Sequence, residues 1–329
     1  MRILITGVAG FIGSHLFEVL KTKHTVRGID NYSLGTYKHR DIYPLDLVKE
    51  KQLAGEVIEA FKPDIVYHLA SWAHEGLSQF MPIKITENNY NAFLNTVVPA
   101  IKSGCKRFVA FSSMSVYGER TPPFHESMEP KPTDVYAVAK TAMETTLKIL
   151  ADVHDFDYTI VRPHNVYGPR QNLSDPYRNV VGIFIHRVLR GLSPIIYGDG
   201  EQVRSFTYID DVLLQLVNSG LSADARNETF NVGSIACHTI NELAEIVLDT
   251  VGSKLKPIHV TDRPREVKEA FTTNDKAQIL GKQKVTSLEQ GVKEMIEWAK
   301  KQDIEDFKYL DGVELQSERT PRTWTEKLM

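Results

Sequence analysis

The sequence predicts an α/β fold built on a doubly wound parallel Rossmann sheet, and three features carry that expectation. The chain opens on an apolar strand, Arg2 to Thr6, that runs straight into the turn Gly7-Val8-Ala9-Gly10-Phe11-Ile12-Gly13 and then a helix. Strand and helix patterns alternate from there to residue 163, as right-handed strand–helix–strand crossovers require. Beyond residue 165 the alternation loosens, which suggests a smaller mixed α/β part. The expected division is 1–164 and 165–329, with the stretch around 205–235 returning to the first part.

The first strand and a helix over 11–21 make a phosphate cradle. Glycines there permit a tight turn, close approach of a pyrophosphate and close helix packing, and the helix N-terminus offers unpaired N–H groups. Strand 25–30 ends on Asp30. A carboxylate at that point accepts hydrogen bonds from ribose hydroxyls and repels a 2′-phosphate, so the expected dinucleotide is NAD rather than NADP. Arg27 points elsewhere by strand alternation and is not read as a phosphate clamp. Asp46 and Leu47 follow a short strand and are placed at the adenine end. Next come a helix over 48–61, a strand over 64–70 and a helix over 83–103, which Pro99 is expected to kink or break. Strand 106–113 delivers Ser112 and Ser113, and helix 136–153 and strand 157–163 close the series.

In the second half, a helix is expected within 177–189 and another opened by Asp210 and Asp211 as N-capping carboxylates. A strand over 229–233 and helices from Thr239 and over 289–301 follow. The charged tail from Asp303 is assigned no role.

Tyr136 and Lys140 stand four apart and therefore share one helix face. A free tyrosine, with a pKa of about 10, is a poor base at neutral pH. An adjacent ammonium stabilises the phenolate and makes it a proton acceptor, while Ser113 can hold the same substrate hydroxyl from its strand end. Alone, the pair reads as an ordinary solvated helix face; the glycine turn and the acid at Asp30 give it its meaning.

Composition excludes other classes. With 42% hydrophobic and 25% charged residues and a formal net charge of -3, the chain is an ordinary soluble protein with no expected nucleic-acid partner. Cys105 and Cys237 belong to no CxxC or metal-ligand cluster, so neither a metal nor a disulfide framework is expected. No cleavage-site pattern and no run long enough to span a bilayer is present, and a cytoplasmic location is expected.

Further ordered motifs are His68-Leu69-Ala70, Ser113-Met114-Ser115-Val116-Tyr117-Gly118 and the stretch from Arg162 through Pro163, His164 and Asn165 to Arg170. Later come Tyr197-Gly198-Asp199-Gly200-Glu201-Gln202-Val203-Arg204 and Arg263-Pro264-Arg265-Glu266-Val267. Up to about Leu280, the chain resembles the extended short-chain dehydrogenase/reductases. Within them it is similar to the NAD-dependent sugar-nucleotide epimerase and dehydratase branch, above all the UDP-glucose 4-epimerases.

The resemblance implies NAD held by Gly7, Gly10, Phe11, Ile12, Gly13, Asp30, Asn31, Asp46, Leu47, Leu69, Ala70, Ser71, Asn89, Ser112, Tyr136, Lys140 and Pro163. It implies Ser113, Tyr136 and Lys140 as catalytic residues. A UDP-sugar would meet Ser113, Met114, Ser115, Tyr136, Asn165, Asn179, Val180, Tyr197, Arg204, Phe206, Arg263 and Glu266. A homodimer through the 83–103 and 136–153 helices is also implied.

The implied reaction is 4-epimerisation of a UDP-hexose through a 4-keto sugar. Dehydratases of this branch carry an Asp-Glu pair after the catalytic Ser/Thr. Met114 and Ser115 stand there instead, and neither is an effective acid or base. A dehydratase would have to use Glu75 or His74. Trp72, His74 and Glu75 replace the small or basic residues usual near the sugar, and His164 stands where an aromatic is common. Ser205, Arg265 and Glu266 also depart from the family pattern. Ala270, seven positions past Arg263, would leave room for an N-acetyl group. The contrasting class is a non-catalytic NAD-sensing protein on the same fold.

Overall fold

Seven parallel strands lie in the order Glu228–Val232, Asp157–Pro163, Arg107–Phe111, Ile65–His68, Arg2–Thr6, Thr25–Asp30 and Ile42–Pro44. This computed structural model describes residues 1–264 and 266–329; Arg265 lies outside the described residues. From Arg2–Thr6 the chain first builds the sheet outward through Thr25–Asp30. It then crosses back and builds the other half from Ile65–His68. The order reverses between those two central strands, which opens a crevice at their carboxyl ends. Ile3, Leu4, Ile5, Val66, Tyr67 and Val109 are fully buried, because helices cover both faces and the strands read as unbroken apolar runs.

Two glycines set the close approaches at the crevice. Gly7 has φ +69°, and a Cβ there would lie 2.6 Å from the Ala70 nitrogen. A Cβ at Gly13 would lie 2.3 Å from the Gly7 oxygen. Neither distance can be met by a side chain, so turn and helix pack against the neighbouring strand only as glycine.

The helix expected over 83–103 runs as Pro82–Thr86, a π turn Glu87–Asn91, and Ala92–Lys102. Pro99 neither breaks nor ends it; the irregularity sits at the π turn, eight to twelve positions earlier. Pro99 falls in the final turn and is buried on the side packed against helix Lys51–Phe61, and that packing offsets the N–H bond it cannot make. Asp210 and Asp211 also differ from expectation. Tyr208 occupies the N-cap of helix Ile209–Leu221, and the two acids lie in its first turn. Asp211 instead accepts bonds from the Thr286 nitrogen at 2.8 Å and hydroxyl at 2.6 Å, fastening the loop before helix Leu288–Ala299.

The tail to which the sequence assigned no role folds back over the molecule. Glu314 accepts bonds from the nitrogens of Ile83 and Lys84, at 2.8 and 2.9 Å, and so caps the start of that helix. The Leu315 nitrogen donates to Phe80, the Lys308 nitrogen donates to Ser174, and Trp324 packs edge-on against Phe80 and Tyr177. Among the described residues no helix is long and apolar enough to cross a membrane.

Behind the sheet's carboxyl end, a buried polar network joins four elements. Arg162 makes a bidentate pair with Glu144 at 2.9 and 2.6 Å and donates to the Tyr117 hydroxyl at 2.8 Å. Tyr117 donates in turn to Asn231 at 2.7 Å. Removing one partner would strand a buried charge. Glu144→Ala is therefore expected to lower unfolding stability by about 3–5 kcal/mol, read by urea denaturation.

Candidate active site

Two cavities adjoin at the carboxyl ends of the central strands. The first is walled by the glycine turn, by Asp30 and Asn31, by Asp46 and Leu47, by Leu69, Ala70 and Ser71, and by Ser112, Lys140 and Pro163. The second is walled by Ser113, Asn165, Asn179, Val180, Tyr197, Arg204, Phe206, Arg263 and Glu266. Tyr136 and Arg178 line both, together with Ile12, Ala73, Ser112 and Pro163. The phenol thus stands where the two spaces meet.

The residues of the first cavity suit a dinucleotide. Asp30 is fixed by the nitrogens of Ala9 and Tyr32, at 2.9 and 2.8 Å, and burial pushes its carboxyl up against those bonds. The Ser112 hydroxyl is buried and has no partner among the described residues. Asp46 accepts bonds from the nitrogens of Val48 and Lys49 and from the Asn31 amide at 3.0 Å, so it holds its own turn beside the cavity. Asn89 is not in the wall. The π turn sends it inward, where its amide donates to the carbonyls of Trp72 and Ile85 at 3.1 and 2.8 Å; Asn88 faces the cavity in its place.

Met114 and Ser115 are absent from the second cavity. Ser113 caps the short helical turn Met114–Tyr117 by accepting the Ser115 nitrogen at 3.1 Å, and that turn swings both side chains away. Met114 packs on the cluster of Val116, Tyr117, Phe124 and Ala270. Ala270 belongs to that cluster as well and does not border the sugar space expected for it. His164 is buried against Gly233, bonded to Ser234 and Thr272, and pushed down to about 4 by burial. Trp72 and His74 point differently from each other. Trp72 lines the first cavity, whereas His74 is buried against Asp175 at 2.8 Å and borders neither.

Glu75 does border the second cavity. Asp134, Arg178, Tyr177, Gln79, Gln202 and Met329 also line it and were not foreseen. Asp134 carried a legible signal as the N-cap of the Tyr136 helix, accepting the Ala137 nitrogen at 2.8 Å. Arg178 had none, because it lies in an irregular loop.

Charge around Tyr136 differs from the simple pairing with Lys140. Lys140 donates to the Phe111 carbonyl at 2.8 Å and lies 5.6 Å from the centre of the tyrosine ring. Burial, helped by Arg178, pushes Lys140 down to about 7. Burial likewise pushes Tyr136 up to about 12, opposed first by Arg178 and then by the Ser113 hydroxyl. Added positive charge at the junction is what would turn this phenol into a base. At the far end of the second cavity, Glu266 ties Arg204 at 3.0 Å and Arg263 at 2.7 Å, holding two guanidiniums side by side.

A doubly wound sheet with a glycine turn, an acid at the end of the second strand and a buried tyrosine and lysine at the cavity junction gives the layout of a dinucleotide-dependent oxidoreductase-type site. A profile of the NAD dependent epimerase/dehydratase family matches residues 3–233, and the chain belongs to that family. The chain is 32% identical over 321 residues to a UDP-N-acetyl-alpha-D-glucosaminuronate decarboxylase of Bacillus cytotoxicus, covering 90% of this chain and 97% of the relative. The crystal structure of UDP-glucose 4-epimerase with UDP-glucose from Thermotoga maritima superposes with a TM-score of 0.85 at 33% identity, covering 92% of this chain and 99% of that one. A Thermus thermophilus UDP-glucose 4-epimerase complexed with NAD gives a TM-score of 0.86 at 28% identity, with coverage of 92% and 99%. The family joins epimerases and decarboxylases of UDP-sugars, and NAD is its cofactor.

Asp30 should set cofactor choice. Asp30→Ala is expected to weaken NAD binding about 10- to 100-fold, the worth of charge-assisted bonds, and to lessen discrimination against NADP. Calorimetric titration of protein stripped of cofactor measures both.

Proposed function

We propose that the protein is a UDP-sugar 4-epimerase that retains NAD through each turnover. The observation that carries this reading is the position of Tyr136, shared by both cavities and beside Ser113, with Met114 and Ser115 turned away. When bound, NAD supplies the hydride acceptor and a positively charged ring. Ser113 holds the C4 hydroxyl of the sugar while Tyr136 takes its proton, and the same phenol returns a proton after the keto sugar has presented its other face. Lys140, anchored on the Phe111 carbonyl, and Arg178 supply positive charge beside the phenolate.

The paired guanidiniums of Arg204 and Arg263 suit a diphosphate, which each can bind in a bidentate, charge-assisted way. Phe206, Val180 and Tyr197 offer an apolar and aromatic wall for the base. The neighbours solved with UDP-glucose and UDP-N-acetylmuramic acid support a UDP-linked sugar as the ligand class.

Turnover separates this reading from a non-catalytic sensor. With UDP-glucose and UDP-galactose, and with their N-acetylamino forms, Tyr136→Phe should lower kcat by about 100- to 10,000-fold while NAD stays bound. A rate equal to the unaltered protein would refute the base.

A cytoplasmic homodimer completes the proposal. Val98, Val138, Ile149 and Val153 are exposed large apolar residues on the two helices Ala92–Lys102 and Val135–His154, Ile149 at 58%. Covering such a surface is the usual reason for it. Ile149→Glu is expected to give a monomer in sedimentation velocity, and an unchanged sedimentation coefficient would place the interface elsewhere.

A further inference from the structure

The tail beyond helix Leu288–Ala299 is bonded to the walls of the second cavity. The Leu310 nitrogen donates to the Tyr177 hydroxyl at 3.0 Å, and the Thr323 hydroxyl meets the Tyr197 hydroxyl at 2.5 Å. Both tyrosines line that cavity, and Met329 lines it beside them. Met329 is seated by its own backbone. Its nitrogen donates to the Tyr309 hydroxyl at 2.7 Å, and its oxygen accepts from that hydroxyl at 3.2 Å. One residue earlier, the Leu328 oxygen accepts from Arg187 of helix Val180–Leu189 at 3.0 Å. Met329 is left only 8% exposed, with its sulfur 3.9 Å from the Tyr197 hydroxyl.

Tyr197 also shows where Met329 lies along the cavity. The Arg263 guanidinium stands over its ring, 4.8 Å from the centre, and the Met329 sulfur stands at its hydroxyl end. Ile183, Ile195 and Ile196 line the cavity as an apolar group with Met329, whereas Ser113, Asp134 and Tyr136 form a polar one. With the diphosphate on Arg204 and Arg263 and the sugar at Tyr136, as read above, the apolar group is what remains for the nucleobase. We propose that Met329 is a specificity-determining residue that closes the base end of the second cavity and admits one-ring bases over two-ring ones. This selection rests on the UDP-sugar reading above and gives the tail a part in it.

The cavity measures about 290 Å³, at the low end for a small-molecule site, so the volume of one wall residue decides what fits. Methionine suits the place, because an unbranched, polarizable thioether packs well on a flat ring. A purine carries a second fused ring and would have to displace that side chain. The backbone of Met329 is held at both nitrogen and oxygen, and its side chain belongs to the buried cluster around Ile196, Phe184 and Trp324. Tyr309 and Thr323 act through others, as positioning residues: the first holds Met329 and the second holds the Tyr197 hydroxyl.

Calorimetric titration of the full, NAD-loaded chain with UDP and with GDP compares a one-ring and a two-ring base on the same diphosphate. The unaltered protein is expected to favour UDP. In Met329→Ala, which keeps the backbone bonds to Tyr309, that preference should narrow about 10-fold, the scale on which a pocket reads one or two methylenes. Tyr309→Phe keeps the ring, removes the hydroxyl that seats Met329, and should narrow the preference by a smaller factor. A merely structural role would lower both affinities alike and leave their ratio unmoved. An unchanged ratio in Met329→Ala would overturn the assignment while leaving the UDP-sugar reading in place; should that variant not fold, Tyr309→Phe decides by the same ratio. No preference for UDP in the unaltered protein would overturn the UDP-sugar reading, and this selection with it.

Discussion

The approach of the Gly7 backbone to Ala70, nearer than any side chain permits, is the constraint on which the rest of the molecule depends. It draws the turn of the first strand against the end of its neighbour at the point where strand order reverses. The helix that follows can then aim its free N–H groups into the crevice, with Asp30 closing one side. The tyrosine helix closes the other side, fixed by the Asp134 cap at its start and by Lys140 reaching back to the Phe111 carbonyl. The two cavities share a wall because these two close packings meet at the carboxyl ends of the central strands.

Electrostatics at that wall are distributed rather than paired. Burial opposes charge on both Tyr136 and Lys140, which leaves the phenol high and the amine low. Arg178, which touches both cavities, is the charge that most favours the phenolate. The family's tyrosine and lysine are therefore one part of a larger arrangement, and the loop carrying Arg178 belongs to it.

Much of this was legible in the residues. The glycine turn, Asp30 and strands 25–30 and 157–163 follow from patterns that local physics enforces, and the predicted bounds of those two strands are those observed. Side-chain direction after Ser113 was not legible. A resemblance places Met114 and Ser115 beside the substrate, but a single capped turn rotates them into the packing. Asn89 and Asn88 exchange roles for a related reason, since a π turn shifts every side chain by part of a turn. Pro99 was read by its local cost alone, and its place in the last turn of a well-packed helix outweighs that cost. Arg178, Gln79 and the tail lie in irregular segments, where no periodicity records which way a residue faces.

The returning tail gives the last consequence. Its Glu314 holds the start of a helix whose continuation carries exposed Val98, while Trp324 packs on Tyr177 and Met329 lines the second cavity. Unseating the whole tail would therefore take away the cap of the outer helix and part of the second cavity's wall together.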